Sequence, residues 1–280
     1  MIIIPSSFHN PGETFIEMAS SVLGTGVFNS DGEMWKFHRT MTRPFFVRDR
    51  ISHFDIFARH ADALISKVKL AQASFDAQDL FARFTIDAAT EFLFGREHCV
   101  GALELEASLD KAGIMHDEKD SRVASNAFAA AFAEAQDVMT LRLRLGDIWP
   151  LWEIWRDRSK GPMDIVYAYV DPIIEAALRK KHDSLVMGRS PDEKVAEVGD
   201  PEHDESLLDN LVSKIEGPSV SVVIFERNYR YKPDLHIDMS VLRDELINIM
   251  LAGRDTVSSN LSLTYDNSRI QLYTCRPLQP

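Results

Sequence analysis

One helix decides how this chain folds, and the stretch VLRDELINIMLAGRDTV at residues 241–257 predicts it. Its apolar residues recur every three or four positions, which is the spacing of a single helix face: Leu242, Leu246, Ile249, Met250 and Val257. Asp238 or Ser240 can cap the amino end, and Asp244 and Glu245 suit the positive end of the helix dipole. The sequence therefore predicts a long helix that is buried along one side.

A polar interruption follows near the carboxyl end of this helix, at Ala252, Gly253, Arg254, Asp255 and Thr256. A glycine inside a helix costs roughly 1 kcal/mol relative to alanine, but it allows a flat group to approach the backbone. The Thr256 hydroxyl can donate to the Ala252 carbonyl one turn earlier, and a neighbouring carboxylate and hydroxyl can relay protons. Two interpretations stay open: a notch for a diatomic ligand or a water, and a surface helix with a tolerated glycine.

The composition limits the function classes. A chain of 280 residues suffices for one large or two smaller domains, and a formal net charge of −12 argues against nonspecific nucleic-acid binding. Two cysteines, Cys99 and Cys275, do not make a disulfide framework. No run of 18 apolar residues is present, and the opening MIIIPSSFHNP lacks the features of a signal peptide.

A second polar pattern lies on a helix predicted to start near Glu33, with Asp31 as its cap, and to stop by Pro44. Trp35 and Arg39 are four residues apart and so project from the same face. An indole N–H and a guanidinium are donors without an acceptor between them, which suits a carboxylate ligand. The alternative is an ordinary cation–π stack.

The rest of the chain is predicted to be mainly helical. Periodicity indicates helices at residues 51–70, 79–95, 124–145, 165–181 and 207–215, with Gly95 ending the second of them. Residues 26–28 suggest a short strand, and residues 188–205 an exposed loop. Residues 216–235 are rich in β-branched residues and read as a hairpin arm or as an inserted, non-native segment. Beyond residue 257 the apolar face fades, and residues 258–260 and 265–268 are poor helix formers.

Trp35-x-x-x-Arg39 followed much later by Ala252-Gly253-x-Asp255-Thr256, with helices between, resembles the cytochrome P-450 family of haem-thiolate monooxygenases. Residues 23–32 and 43–46 resemble the fungal group that hydroxylates alkanes and fatty acids. The resemblance implies a mainly α, incomplete P-450-like helical fold that runs from the family's C helix to its I helix. A partial domain is expected at residues 1–257 and a tail unlike the family at 258–280.

The resemblance also implies site residues and partners. Trp35 and Arg39 would donate to a haem propionate, Ala252 and Gly253 would form the oxygen notch, and Asp255 and Thr256 would relay protons. Haem is the implied cofactor, with O2, a small hydrophobic substrate and, for the full-length enzyme, an NADPH-dependent reductase as partners. The full-length family member is expected at the endoplasmic reticulum membrane. The alternative is a non-enzymatic helical binding or scaffold domain.

Departures from the family pattern accompany this resemblance. The family's membrane anchor, its Glu-x-x-Arg helix and its haem-cysteine loop are absent from their expected places, so the chain is expected to be an inactive, truncated fragment. Cys99 fits the loose spacing of that loop but precedes the I helix, and Glu153-x-x-Arg156 is taken as a chance match. Cys275 has no glycine-rich loop around it. We therefore expect no metal ligand in this chain, the nine histidines included.

Overall fold

A computed structural model describes residues 12–46, 54–70, 76–103, 118–186, 206–213 and 239–274. Within these ranges the regular structure is helical and no residue belongs to a strand. The predicted mainly α fold is therefore confirmed. The segment at 216–235 and the predicted loop at 188–205 lie outside the described residues.

The helices of the described ranges, in chain order, are α1 (Glu13–Leu23), α2 (Gly32–Thr42), α3 (Asp55–Leu70), α4 (Ala77–Phe94), α5 (Glu118–Leu145), α6 (Trp149–Trp152), α7 (Lys160–Val186), α8 (Leu207–Ser213) and α9 (Met239–Thr274). Short 3-10 turns at Arg96–His98 and Gly146–Ile148 follow α4 and α5. None of the helices in this part of the chain is both long and apolar enough to cross a membrane.

The ends of α4 show how local sequence sets a helix. The Asp76 side chain accepts hydrogen bonds from the backbone N–H groups of Gln78 and Asp79 and so caps the amino end. Gly95 ends the helix with φ of 87°, a left-handed value that a glycine adopts without strain. The predicted end at Gly95 is therefore confirmed.

Although the residues after 257 include poor helix formers, α9 continues to Thr274. Propensity is a weak prior, and here packing overrides it. Leu261 packs against a small cluster formed by Leu80, Phe84 and Leu103, and the Tyr265 ring lies 6.0 Å from the Phe81 ring. Contact with α4 therefore holds the later part of α9 in helical form.

The predicted strand at residues 26–28 is also wrong, since these residues form turns between α1 and α2. The backbone N–H of Gly26 donates to the Leu23 carbonyl, and those of Val27 and Phe28 donate to side chains of α9. Val27 N donates to Glu245 Oε2 at 3.3 Å, and Phe28 N donates to Asn248 Oδ1 at 2.9 Å. This segment, residues 24–28, is named the docking loop below.

The core lies where α9 packs along α4 and where α5 pairs with α7. Leu242, Leu246 and Met250 of α9 are fully buried. On the other side, the Phe128 ring of α5 stacks on Tyr169 of α7 at 4.3 Å between ring centroids. Burial of these large apolar faces is the main driving force for the fold.

Asp244 gives this core a pH-dependent element. Burial raises its pKa from 3.8 to about 6, although the N–H and hydroxyl of Thr25 donate to it. Because the folded-state pKa lies above the unfolded value, this carboxyl stabilises the fold fully below about pH 4 and loses that contribution as the pH rises through 6. The shift corresponds to about 3 kcal/mol.

We therefore expect Asp244→Asn to unfold at a higher urea concentration than the wild type at pH 7.5, with the advantage shrinking to near zero at pH 4. Asp62→Asn, which changes an exposed aspartate of α3, is the matched control. Urea titrations at the two pH values measure the difference. Equal pH dependence in wild type and Asp244→Asn would contradict this explanation.

Candidate functional site

A buried acid–base pair fixes α2 on α9. Nδ1 of His38 lies 2.8 Å from Oε2 of Glu245, and both side chains are completely shielded from solvent. The docking loop reinforces this junction, since Glu245 also accepts from the N–H of Val27. Removing one member of such a pair leaves the other buried and uncompensated, so the pair holds α2 in one position.

Sequence reasoning missed both residues of this junction. The signal was available, because a glutamate at position 245 falls among the apolar residues that are predicted to be buried. A charge in that position requires a partner from another element. His38, one turn after Trp35 on the next predicted polar helix, was a suitable candidate.

The face of α9 that receives α2 also carries part of the predicted notch. Ala252 lies seven residues after Glu245 and Thr256 lies eleven after it, and these spacings return to the same side of a helix. The distance along the axis from Glu245 to Ala252 is about 10 Å. The helix α2 therefore packs on the same face of α9 that carries Ala252 and Thr256.

Trp35 and Arg39 are stacked on each other. The Arg39 guanidinium carbon lies 5.1 Å from the centroid of the Trp35 ring, with Trp35 half-buried and Arg39 exposed. Within the described residues no carboxylate forms an ion pair with Arg39. The cation–π alternative is therefore present in the structure, and the edge of the guanidinium keeps its N–H donors for an acceptor.

The polar end of the predicted notch has the expected local bond. Oγ1 of Thr256 donates to the Ala252 carbonyl at 2.7 Å, as its spacing predicts. The Asp255 side chain is half-exposed, and burial raises the pKa of its carboxyl above the ordinary value, although Arg254 at 3.4 Å opposes the change. A hydroxyl and a carboxyl that stays protonated to higher pH are thus consecutive on α9, and their side chains project from adjoining sides of the helix.

Gly253 faces α4, and the Arg254 side chain extends toward α5. A Cβ at Gly253 would meet the Cβ of Ala89 on α4 at 3.9 Å, an ordinary contact distance. Arg254 turns toward α5, where its guanidinium donates to Gln136 and lies 5.8 Å from the Phe132 ring. Ala252 and Thr256 therefore lie together on the face of α9 toward α2. The role of Gly253 in an oxygen notch stays a prediction.

Cys99 lies apart from this face, after the 3-10 turn that follows α4. Burial, together with the negative charges of Asp87 and Glu91, raises the pKa of its thiol to about 12. A thiol that keeps its proton is a poor metal ligand until a cation displaces that proton.

The Glu153 carboxylate does not pair with Arg156. It binds Arg142 at 2.7 Å through both oxygens.

Comparison with known proteins shows the family of the chain. The Cytochrome P450 family model matches residues 6–264 of the chain. The match ends seven residues past the predicted boundary at 257, and that division of the chain stays a prediction. The chain is 31% identical over 247 residues to cytochrome P450 52A1 of Candida tropicalis, which covers 88% of this chain and 37% of the relative.

Other relatives give the same picture. Identity is 32% over 246 residues to cytochrome P450 52A12 of Debaryomyces hansenii, covering 87% of this chain and 39% of that protein. The identity to cytochrome P450 52-N1 of Starmerella bombicola is 28% over 246 residues, which covers 87% of this chain and 40% of that protein. The chain thus spans about two fifths of the length of the curated relatives it matches. From α1 to the far part of α9, this chain belongs to the cytochrome P450 family.

Proposed function

We propose that this chain supplies the propionate-binding helix and the distal wall of a haem-dependent monooxygenase. The whole protein would hydroxylate a hydrophobic substrate, such as a fatty acid or an alkane, with O2 and electrons from an NADPH-dependent reductase. One observation carries the proposal: the face of α9 that binds α2 through His38 and Glu245 also presents Ala252 and Thr256. The helix with the predicted propionate donors and the predicted oxygen site therefore share one side of α9.

The donor set fits haem at this position. A propionate needs N–H donors, and Arg39 and Trp35 offer a guanidinium and an indole on the exposed side of α2. His38, between them in sequence, is occupied by Glu245 and so orients the helix instead of binding a ligand. When bound, the haem iron supplies the oxidation chemistry.

The chain's own contribution to the chemistry is the delivery of protons. Thr256 donates its hydroxyl hydrogen to the Ala252 carbonyl, which leaves the oxygen lone pairs open to accept a hydrogen bond. Asp255 is half-exposed and can exchange protons with solvent, and its raised pKa keeps the carboxyl protonated to higher pH. A proton relay from solvent through Asp255 to Thr256 would need a bridging water, and the Thr256 hydroxyl would release its own hydrogen as it accepts the next one.

Haem titration tests the proposal. We expect Arg39→Ala to weaken haemin binding by the chain about tenfold, because a charge-assisted hydrogen bond is lost. Arg43→Ala, which removes an exposed arginine just past the end of the same helix, is the matched control and should change the affinity less than twofold. Equal affinities for Arg39→Ala and the wild type would contradict the assignment.

Two further readouts of this titration separate the alternatives. Cys99 is predicted not to ligate iron, so the reduced, CO-treated sample should lack the thiolate-type absorption shift. Appearance of that shift would overturn the expectation that the chain is inactive by itself. No saturable haemin uptake would favour a non-enzymatic helical scaffold, for which the Trp35–Arg39 stack is a surface pair.

We also propose that the whole protein works at the endoplasmic reticulum membrane. Large apolar side chains are exposed around α6, between α5 and α7: Leu143, Ile148, Leu151, Ile154 and Trp155. Leu151 is 72% exposed and Trp155 is 93% exposed, and a patch of this kind suits a lipid surface.

Vesicle binding tests this surface. The double variant Leu151→Ser/Trp155→Ser is expected to bind phospholipid vesicles at least about tenfold more weakly, because two large apolar side chains lose their burial in lipid. Leu263→Ser, which alters a 65% exposed leucine of α9, is the control and should bind as the wild type does. A flotation assay that finds no difference between the two variants would refute the proposal.

A further inference from the structure

Three side chains with metal-binding atoms converge outside the proposed haem region. They come from three separate elements: His60 from α3, Glu91 from α4 and Cys99 from the segment after the 3-10 turn. The three ligand atoms all lie within 4.8 Å of one another. Nε2 of His60 is 2.6 Å from Oε2 of Glu91. Packing of α3 on α4 and the return of the chain after Gly95 therefore bring together residues that are distant in sequence.

The cluster is shielded and oriented. The side chain of Glu91 is 5% exposed and that of His60 is 12% exposed. Arg59 binds Oε1 of Glu91 at 2.6 Å, so the carboxylate keeps Oε2 directed toward His60. Such a contact fixes the orientation of a ligating carboxylate in the way that outer partners do in known metal sites. A cation bound here would be held by preorganised groups.

The surroundings of Cys99 favour a cation. Its thiol donates to the Asp87 carbonyl at 3.6 Å, a long and weak hydrogen bond. The carboxylates of Asp87 and Glu91 act on the sulfur electrostatically. Their negative charge also attracts a divalent ion, which can take the place of the thiol proton.

We propose that His60, Glu91 and Cys99 form a zinc site, with Nε2, Oε2 and Sγ as ligands and water in the fourth position. One nitrogen, one oxygen and one sulfur ligand suit Zn²⁺, whereas Mg²⁺ and Ca²⁺ require oxygen ligands. Ligand atoms around tetrahedral zinc lie about 3.5 Å apart, so the observed positions need adjustments of about 1 Å. Binding releases the thiol proton, and Nε2 of His60 gives up the hydrogen that it shares with Glu91, either to solvent or by a shift to Nδ1. Two bonds to the ion then replace the direct hydrogen bond between His60 and Glu91.

This proposal departs from the sequence-based expectation that no histidine is a metal ligand. It also makes Cys99 a ligand of a different ion from haem iron. The simpler interpretation is an ordinary ion pair of Glu91 with Arg59 and His60, in which the cysteine takes no part. The two interpretations differ in whether the sulfur binds the ion, and this can be observed directly.

Cobalt titration followed by zinc competition makes that observation. Co²⁺ added to the reduced 280-residue chain is expected to give a sulfur-to-cobalt charge-transfer band, which Zn²⁺ should abolish. Cys99→Ser should lose the band, and Cys275→Ser, which changes the other cysteine of the chain, should keep it. No band in the wild type, or a band that survives Cys99→Ser, would overturn the proposal.

A second variant tests the site in case Cys99→Ser loses the band because it misfolds. His60→Gln should retain the helical circular dichroism spectrum but lower the Zn²⁺ affinity by about 100-fold, at least as much as the loss of an outer partner costs in known sites. His182→Gln, at a part-exposed histidine of α7, is the matched control. Equal Zn²⁺ affinities for the two histidine variants, measured with a competing chelator, would overturn the role of His60.

Discussion

Arg142→Met is expected to lower the free energy of unfolding by about 3–5 kcal/mol, the range for breaking a buried charge pair. Arg142 is only 2% exposed, and it binds both oxygens of Glu153 at 2.7 Å and Oδ1 of Asp157 at 2.8 Å. It also donates to the Met18 carbonyl at 3.1 Å and to Ser21 at 2.5 Å. Methionine preserves much of the apolar volume but leaves the Glu153 carboxylate buried without its cation.

Arg142 thereby ties α1, α5 and the turn before α7 together. Denaturant titration of Arg142→Met against Arg144→Met, which changes an exposed arginine two positions along α5, measures the effect. The control should shift the free energy by less than about 0.5 kcal/mol, as surface substitutions usually do. If both variants unfold at the same denaturant concentration, the network does not stabilise the fold as described.

Gly26→Ala is expected to cost about 3 kcal/mol or more, because overpacking and the loss of buried hydrogen bonds add together. A Cβ at residue 26 would lie 2.2 Å from Nδ2 of Asn248. Asn248 is completely buried, and its amide donates to the Leu23 carbonyl at 2.8 Å and accepts from the Phe28 N–H at 2.9 Å. The added methyl group must displace this amide from the docking loop.

Gly161→Ala is the matched control. Residue 161 lies in the first turn of α7, and no atom would lie within 4 Å of its added Cβ. Alanine there should leave stability unchanged or raise it by up to about 1 kcal/mol, since alanine favours helices. Thermal melts of the two variants measure the difference, and a Gly26→Ala melting temperature equal to that of Gly161→Ala would show that the docking loop tolerates displacement.

Periodicity predicted the helices because the spacing of apolar residues indicates which face of a helix is buried. It placed α4, α7 and the first half of α9, and the Gly95 stop follows from a backbone conformation that only glycine adopts easily. It missed α1 and the second half of α9. In that half, residues poor in helix propensity stay helical through contacts such as Tyr265 with Phe81, which a single sequence does not reveal.

In the candidate site as well, contacts between residues close in sequence could be predicted and contacts between distant residues could not. The bond from Thr256 to the Ala252 carbonyl joins residues one turn apart, so local spacing predicted it. The pair of His38 and Glu245 joins residues more than 200 positions apart, and it depends on how α2 docks on α9. The convergence of His60, Glu91 and Cys99 likewise requires the tertiary structure, which explains why the sequence predicted neither His60 nor Cys99 as a ligand and did not single out Glu91.

The most direct test of the central claim is a crystal structure of the chain with haemin, in which anomalous scattering locates the iron. We expect the iron peak beside the face of α9 that carries Ala252 and Thr256, with a propionate in hydrogen-bond contact with Trp35 and Arg39. An iron peak beside Cys99, or on the side of α9 that packs against α4, would contradict the account.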